Sequence, residues 1–284
     1  MQGIIGIGLL GSAIAERLQL AGLELFGWDV DSGNLERASA AGHVKKLEPC
    51  RIAATCDRIV LCLPNSGVVE SVVAQIEDDL QPGAMIIDTT TGSPAAVERV
   101  AERLAQRKVT YLDACIGGSS EDVRRHRAMV LCGGPTAAFA ACQPMLDAIA
   151  PQVYHLGAVG TGTRMKLVFN LVLGLNRAVL AEGLMFAAKS GIGLDEALDV
   201  LQHGAAYSRV MDTKGRKMID DDFAPQARLS QHLKDVRHIL EEGAASGAML
   251  PLSGLHAKLL EEVERAGYGA DDNSAIVRWF KGLC

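Results

Sequence analysis

The sequence predicts a doubly wound α/β domain followed by an all-helical domain, and three observations predict it. Short apolar runs alternate with helix-like segments as far as about residue 157. Several of these runs are apolar at successive positions, as in Met85-Ile86-Ile87, which suits parallel strands covered on both faces and not a half-wet antiparallel sheet. Beyond Gly157-Ala158-Val159-Gly160 no strand pattern returns before Cys284, and the remainder of the chain reads as helix punctuated by Gly and Pro. The expected division is 1–158 and 159–284, since 284 residues exceed the usual reach of one core.

The strands are expected at 4–6, 23–28, 58–63, 84–88, 110–113, 129–132 and 152–155, each a short run rich in β-branched or other apolar residues. Between them, residues 12–20, 68–77, 94–104 and 135–149 have helical periodicity, so strand and helix alternate as a doubly wound sheet requires. Residues 161–189 read as one long helix ending at Gly191. Its apolar residues (Met165, Leu167, Val168, Phe169, Leu171, Val172, Leu175, Val179, Leu180) cover nearly the whole circumference, which predicts central burial. Further helices are expected at 195–203, 229–246 and 253–266.

Composition excludes several classes of function. With 49% hydrophobic and 22% charged residues the chain is globular, not disordered. A net charge of −6 and no long basic run argue against a general nucleic-acid binder. The seven cysteines (Cys50, Cys56, Cys62, Cys115, Cys132, Cys142, Cys284) form no C-x-x-C pair and have no histidine at ligand spacing, so reduced, mostly buried thiols and no metal are expected. No basic region precedes an apolar stretch at the N-terminus, which speaks against a signal peptide. The longest uncharged stretch, 128–146, is broken by Gly133-Gly134-Pro135 and Gln143-Pro144, so no membrane span and a cytoplasmic setting are expected.

The first chemical signal is Gly6-Ile7-Gly8-Leu9-Leu10-Gly11, a G-x-G-x-x-G between an apolar strand and an apolar helix. Gly6 would allow the tight turn, Gly8 the approach of backbone to a pyrophosphate, and Gly11 the packing of helix on sheet, with phosphates at the helix N-terminus. Asp29 lies 18 positions past Gly11 at the end of the next strand, where a carboxylate can bond the adenosine ribose hydroxyls and repel the extra phosphate of NADP. NAD is therefore expected over NADP. Asp31 is either a substitute for Asp29 or a helix N-cap.

The second signal is Lys166 with Asn170, four apart and so on one face of the long helix. Oxidising an alcohol sends a hydride to a nicotinamide and a proton to a base. A lysine desolvated near another cation can serve as that base, and Asn170 can hold the substrate hydroxyl.

These residues, with Leu63-Pro64-Asn65, Asp88-Thr89-Thr90-Thr91-Gly92-Ser93-Pro94, Asp113-Ala114, Gly117-Gly118, Gly133-Gly134, Gly160-Thr161-Gly162, Lys234-Asp235 and Asp272-Asn273-Ser274-Ala275, resemble the β-hydroxyacid dehydrogenase family over essentially the whole chain. The family includes 3-hydroxyisobutyrate dehydrogenase and tartronate semialdehyde reductase. The resemblance implies a Rossmann-like domain, a long interdomain helix and a helical domain that builds homodimers or homotetramers, with the active site in the interdomain cleft. It implies that Leu63, Pro64 and Asn65 pass near the cofactor and that Thr91 lies by the nicotinamide. Gly118 would sit in the substrate loop beside Gly117 and Ser119, Lys166 would be catalytic, and Lys234 would project toward the cofactor.

Departures from the family cluster around the substrate. Where the loop usually reads Asp-Ala-Pro-Val-Ser-Gly-Gly, this chain has Asp113-Ala114-Cys115-Ile116-Gly117-Gly118-Ser119, so the loop serine is gone and Ser119 is the nearest hydroxyl. Phe169 stands where a second asparagine is usual, and the aromatic expected near Ala227 is absent. Arg124, Arg125 and Arg127 either hold a substrate carboxylate or coat a helix. The expected activity is reversible oxidation of a small hydroxy acid, NAD taking the hydride and Lys166 the proton. Imine reduction on a related fold and a noncatalytic NAD-binding protein are the alternatives, and Lys166 with Asn170 favours the hydroxy acid.

Overall fold

The computed structural model describes all 284 residues, in two compact units, Met1–Lys166 and Leu167–Cys284. In chain order the first unit contains β1 (Gln2–Ile5), α1 (Leu9–Leu20), β2 (Leu25–Trp28), α2 (Ser32–Ala40), β3 (Lys45–Lys46), α3 (Pro49–Thr55), β4 (Arg58–Leu61) and α4 (Ser66–Ile76). It continues through β5 (Met85–Asp88), α5 (Pro94–Ala105), β6 (Thr110–Gly117), α6 (Ser120–Arg124), β7 (Met129–Gly133), α7 (Thr136–Ile149) and β8 (Gln152–His155).

The strands form one sheet in the order β3-β2-β1-β4-β5-β6-β7-β8. Its register explains the continuous apolar runs, because successive residues of a strand feed cores on opposite faces. Ile4, Val60, Ile87 and Leu112 join one core with Ile14 and Leu18 of α1, while Ile5, Ile59, Ile86 and Tyr111 join another with Val69 and Val73 of α4 and Val97 of α5. The expectation of a parallel sheet fails at one ladder, since β6 and β7 pair antiparallel from Asp113↔Gly133 to Gly117↔Met129. β6 accordingly runs to Gly117, four residues past the expected end, beyond the point where β5 stops opposite Asp113.

The helix α8 (Thr161–Lys189) has the expected bounds. The division between units falls after Lys166, eight residues past the expected 158, because the first turn of α8 is hydrogen-bonded to β6. Central burial of α8 is not what the structure has. Leu167, Leu180, Ala181 and Leu184 are buried, but Val168, Val172, Val179 and Phe186 form an exposed apolar row, 52–74% accessible. The apolar residues of α8 therefore divide between a buried face and an exposed one.

The second unit adds α9 (Leu194–His203), α10 (Arg209–Ile219), α11 (Leu229–Ser246), α12 (Pro251–Val263) and α13 (Val277–Phe280) around a core that includes Leu180, Met218, Leu233 and Leu260. Helix α10 escapes the apolar pattern because its inward face carries Lys214 and Lys217. Lys214 Nζ bonds both Asp272 oxygens at 2.8 and 2.9 Å, and Lys217 pairs with Asp222 at 2.8 Å, so the charges are compensated where they are buried.

Candidate active site

The turn from β1 into α1 is built for close approach. Gly6 has φ +96°, and a Cβ on Gly11 would stand 2.0 Å from the Gly6 carbonyl oxygen, so neither position tolerates a side chain. Gly8 has open space where its Cβ would be, and it begins α1 without any side-chain cap. The opening N–H groups of a helix have no intrahelical partner, so this bare terminus suits a dinucleotide pyrophosphate. The exposed Leu9 and half-buried Leu10 come next.

Asp29 leaves the end of β2. Its Oδ2 accepts the Ile7 N–H at 2.5 Å and its Oδ1 the Asp31 N–H at 2.7 Å. A carboxylate has about four acceptor positions, so roughly two remain for ribose hydroxyls. Asp31 caps α2 by accepting from Gly33 and Asn34, which settles its role as N-cap. Between them Val30 is 88% exposed and brings no cation to this strand end.

Two buried carboxylates stand further along the same edge of the sheet. Asp88 ends β5, where its Oδ1 accepts the Thr90 N–H at 2.9 Å and its Oδ2 the Tyr111 hydroxyl at 2.5 Å. Burial pushes its pKa up to about 6, against the pull of those hydrogen bonds. Thr90 Oγ1 in turn accepts the Leu63 N–H at 3.0 Å, tying the segment Thr89–Thr90–Thr91 to the segment Leu63–Pro64–Asn65. Asn65 caps α4 through Val68 N–H at 3.0 Å, and Ser93 begins α5 without side-chain capping of its own. On β6, the Asp113 carboxylate accepts from Gly160 N–H, Thr163 N–H and Thr163 Oγ1–H at 2.7–2.9 Å, and burial raises its pKa as well.

Lys166 lies one turn further along α8 and is only 8% exposed. The Cys115 thiol donates to the Thr90 carbonyl at 3.4 Å, lies 3.8 Å from Thr163 Oγ1, and feels the Lys166 charge. Just beyond Cys115 the chain differs from the family loop in a way the backbone explains. A Cβ on Gly117 would fall 2.5 Å from Met129 Cγ, so the missing serine is replaced by the methionine across the ladder. Ser119 is engaged in a capping box with Asp122, its Oγ donating at 2.7 Å and accepting at 3.1 Å, while Gly118 is exposed. Arg124 bonds Glu16 and Ser12, Arg125 pairs with Glu121, and Arg127 with Asp122, so all three arginines have protein partners.

In the helical unit, Asn170 Nδ2 donates to Asp235 Oδ2 at 3.0 Å, and Lys234 Nζ lies 3.4 Å from Asp235 Oδ1. Asp235, 8% exposed, thereby joins two residues that the sequence singled out separately. Sequence reasoning assigned no role to Asp88, Asp113 or Asp235. The first two carried a usable signal, a lone acid ending an apolar run, and the third stands next to Lys234.

Comparison with known proteins agrees with this geometry. Residues 2–157 match the family described as the NAD binding domain of 6-phosphogluconate dehydrogenase, and residues 160–280 the one described as NAD-binding of NADP-dependent 3-hydroxyisobutyrate dehydrogenase. The L-threonate dehydrogenase of Cupriavidus necator is 28% identical over 99% of this chain and 96% of its own length. The 2-(hydroxymethyl)glutarate dehydrogenase of Eubacterium barkeri is 29% identical over 97% of this chain and 93% of its own. The crystal structure of a 3-hydroxyisobutyrate dehydrogenase from Salmonella typhimurium superposes with a TM-score of 0.90 at 27% identity, covering 98% of this chain and 99% of that one. With both units matched in sequence order, the chain belongs to the β-hydroxyacid dehydrogenase family of NAD(P)-dependent oxidoreductases.

Proposed function

We propose that the protein oxidises a small hydroxy acid reversibly, with Lys166 as the general base and NAD preferred over NADP. The observation that carries this reading is the burial of Lys166 in the first turns of α8. Bound NAD supplies the hydride acceptor. Lys166 Nζ takes the hydroxyl proton as the substrate carbon is oxidised and returns it in the reverse direction. Asn170, its amide held by Asp235, presents Oδ1 to the substrate, and Lys234 serves the cofactor side. Gly6, Gly8, Leu9, Leu10 and Gly11 cradle the pyrophosphate, Asp29 takes the ribose hydroxyls, and Leu63, Pro64, Asn65 and Thr91 line the cofactor. Gly117, Gly118 and Ser119 border the substrate, with Met129 in place of a hydroxyl.

The related dehydrogenases are named for L-threonate, 2-(hydroxymethyl)glutarate and 3-hydroxyisobutyrate, which makes those acids the first panel to test. NADH formation with one of them, lost in Lys166→Ala, supports the reading. Turnover of cyclic imines alone, with the hydroxy acids silent, refutes it. The exposed row Val168, Val172, Val179 and Phe186 supports assembly as a homodimer or homotetramer, because so long an apolar stripe is costly in water. Sedimentation equilibrium of the wild type and of Val172→Asp measures it, and a monomeric wild type would exclude it.

A further inference from the structure

We propose that Asp113 is a positioning residue, fixing the first turn of α8 so that the Lys166 amine is held in one place relative to the Thr89–Thr91 segment. The inference rests on the reading of Lys166 as the proton-transfer group. A helix leaves its first N–H groups unpaired and normally caps them with a side chain just upstream. For α8 the cap comes from another element. Asp113 Oδ1 accepts from Gly160 N–H at 2.9 Å, and Oδ2 accepts from Thr163 N–H at 2.7 Å and Thr163 Oγ1–H at 2.9 Å. Three bonds from one carboxylate, at a helix N-terminus where the backbone dipole favours negative charge, are strong and directional.

The carboxylate is itself rigid. Asp113 is 1% exposed and lies in register with Asp88 of β5 on one side and Gly133 of β7 on the other. The helix start also presses directly on these strands. A Cβ on Gly162 would lie 2.5 Å from the Leu131 carbonyl oxygen and 2.6 Å from that of Asp113, so α8 has no room to shift toward the sheet. Lys166 comes three residues after Thr163, hence on the same side of the helix.

On the neighbouring strand Asp88 does the same for the other half of the site, by holding Thr90 N–H and, through Thr90 Oγ1, Leu63 N–H. Cys115 stands between the two halves, with Thr90 O on one side and Thr163 Oγ1 on the other. One polar layer at the strand ends therefore sets both the segment carrying Thr91 and the helix carrying Lys166. A displacement on the order of 1 Å is enough to cost about 10²-fold in rate when reacting groups must be aligned.

The test is a double-mutant cycle of Asp113→Asn and Lys166→Ala in the full chain, with NADH formation measured on L-threonate, 2-(hydroxymethyl)glutarate and 3-hydroxyisobutyrate. Asparagine can satisfy only one side of this triple acceptor, because its amide sets a donor against an N–H. Asp113→Asn is expected to lower kcat about 10-fold to 100-fold with the Kd for NADH unchanged. In the Lys166→Ala background it should cost nothing further, since no amine is left to misplace. A general structural role would instead lower activity by the same factor in both backgrounds, which would overturn the proposal, as would an unaltered kcat. If Lys166→Ala alone turns over like the wild type, the lysine reading fails, not the anchor. Amide exchange reads the anchor independently of any substrate. Faster exchange confined to residues 160–166 supports it, and unchanged protection there sinks it. If Asp113→Asn does not fold, Thr163→Val removes one of the three bonds and should give a smaller kcat loss with the same non-additivity, whereas a wild-type kcat would count against the proposal.

Discussion

Met129 stands across the β6–β7 ladder from Gly117, and its Cγ occupies the space that a side chain on residue 117 would need, 2.5 Å from the position of that Cβ. A side chain on residue 117 and the present position of Met129 therefore exclude one another. Gly117→Ser, although it restores the hydroxyl usual in the family, should destabilise the protein by about 1–3 kcal/mol, because Met129 must leave its packed position. Adding Met129→Ala should recover most of that loss. Urea unfolding of the single and double variants measures it, and a Gly117→Ser protein as stable as wild type would show that Met129 moves freely.

Asp29 and Val30 make the cofactor choice testable. The Asp29 carboxylate would face the extra phosphate of NADP, and the exposed Val30 offers no positive charge to hold it. We expect kcat/KM for NAD to exceed that for NADP by at least about tenfold, or about 1.4 kcal/mol. Asp29→Asn with Val30→Arg should narrow the ratio by a similar factor. Asparagine is the right replacement because it still accepts the Ile7 N–H, so the glycine turn stays closed. An unchanged ratio in the double variant would remove Asp29 from the discrimination.

Asp88 gives the stability of the protein a recognisable pH signature. Its folded pKa, raised by burial to about 6 from an ordinary 3.8, means the folded chain holds that proton more tightly than the unfolded chain. The contribution is therefore greatest below about pH 4 and is lost as pH rises through about 6. A rise of that size corresponds to roughly 3 kcal/mol. Wild-type stability relative to Asp88→Asn should fall by about that order between pH 4 and pH 7, as followed by urea unfolding at each pH. Parallel curves for the two proteins would mean that Asp88 does not titrate in this range.

What the sequence made legible is what local pattern controls. The strands Arg58–Leu61 and Met85–Asp88 announce themselves by buried apolar residues at consecutive positions, and Gly6, Gly8 and Gly11 by their spacing between an apolar strand and an apolar helix together with Asp29 at the next strand end. The antiparallel entry of β7 was not legible, because a strand buried on both faces reads the same in either direction. Helix α10 was hidden for the opposite reason. Lys214 is polar in the sequence and buried in the fold, and only Asp272, 58 residues away, makes that tolerable. The same holds at the site. Lys166 and Asn170 could be paired by their spacing, whereas Asp113 holding Thr163 and Asp235 holding Asn170 are contacts over 50 and 65 residues that no short window contains. The sequence shows Ser119 as the hydroxyl nearest the missing loop serine but not as a cap, because the helix it caps, Ser120–Arg124, is too short to show periodicity.

The lysine role admits the most direct experiment. Lys166 is buried on a helix whose start is bound to β6, which places a partly desolvated amine-bearing side chain on an anchored turn. Lys166→Ala should lower kcat by on the order of 10² to 10⁴ while the Kd for NADH, read by fluorescence titration, stays within about threefold of wild type. Lys166→Met keeps the length and apolar stem and should show the same kcat with better stability, separating lost chemistry from lost packing. Exogenous alkylamines should restore part of the Lys166→Ala rate, to a degree set by amine pKa and size, if proton transfer is the missing function. Full activity in either variant would leave the buried amine a structural group and the hydroxyl proton with another acceptor.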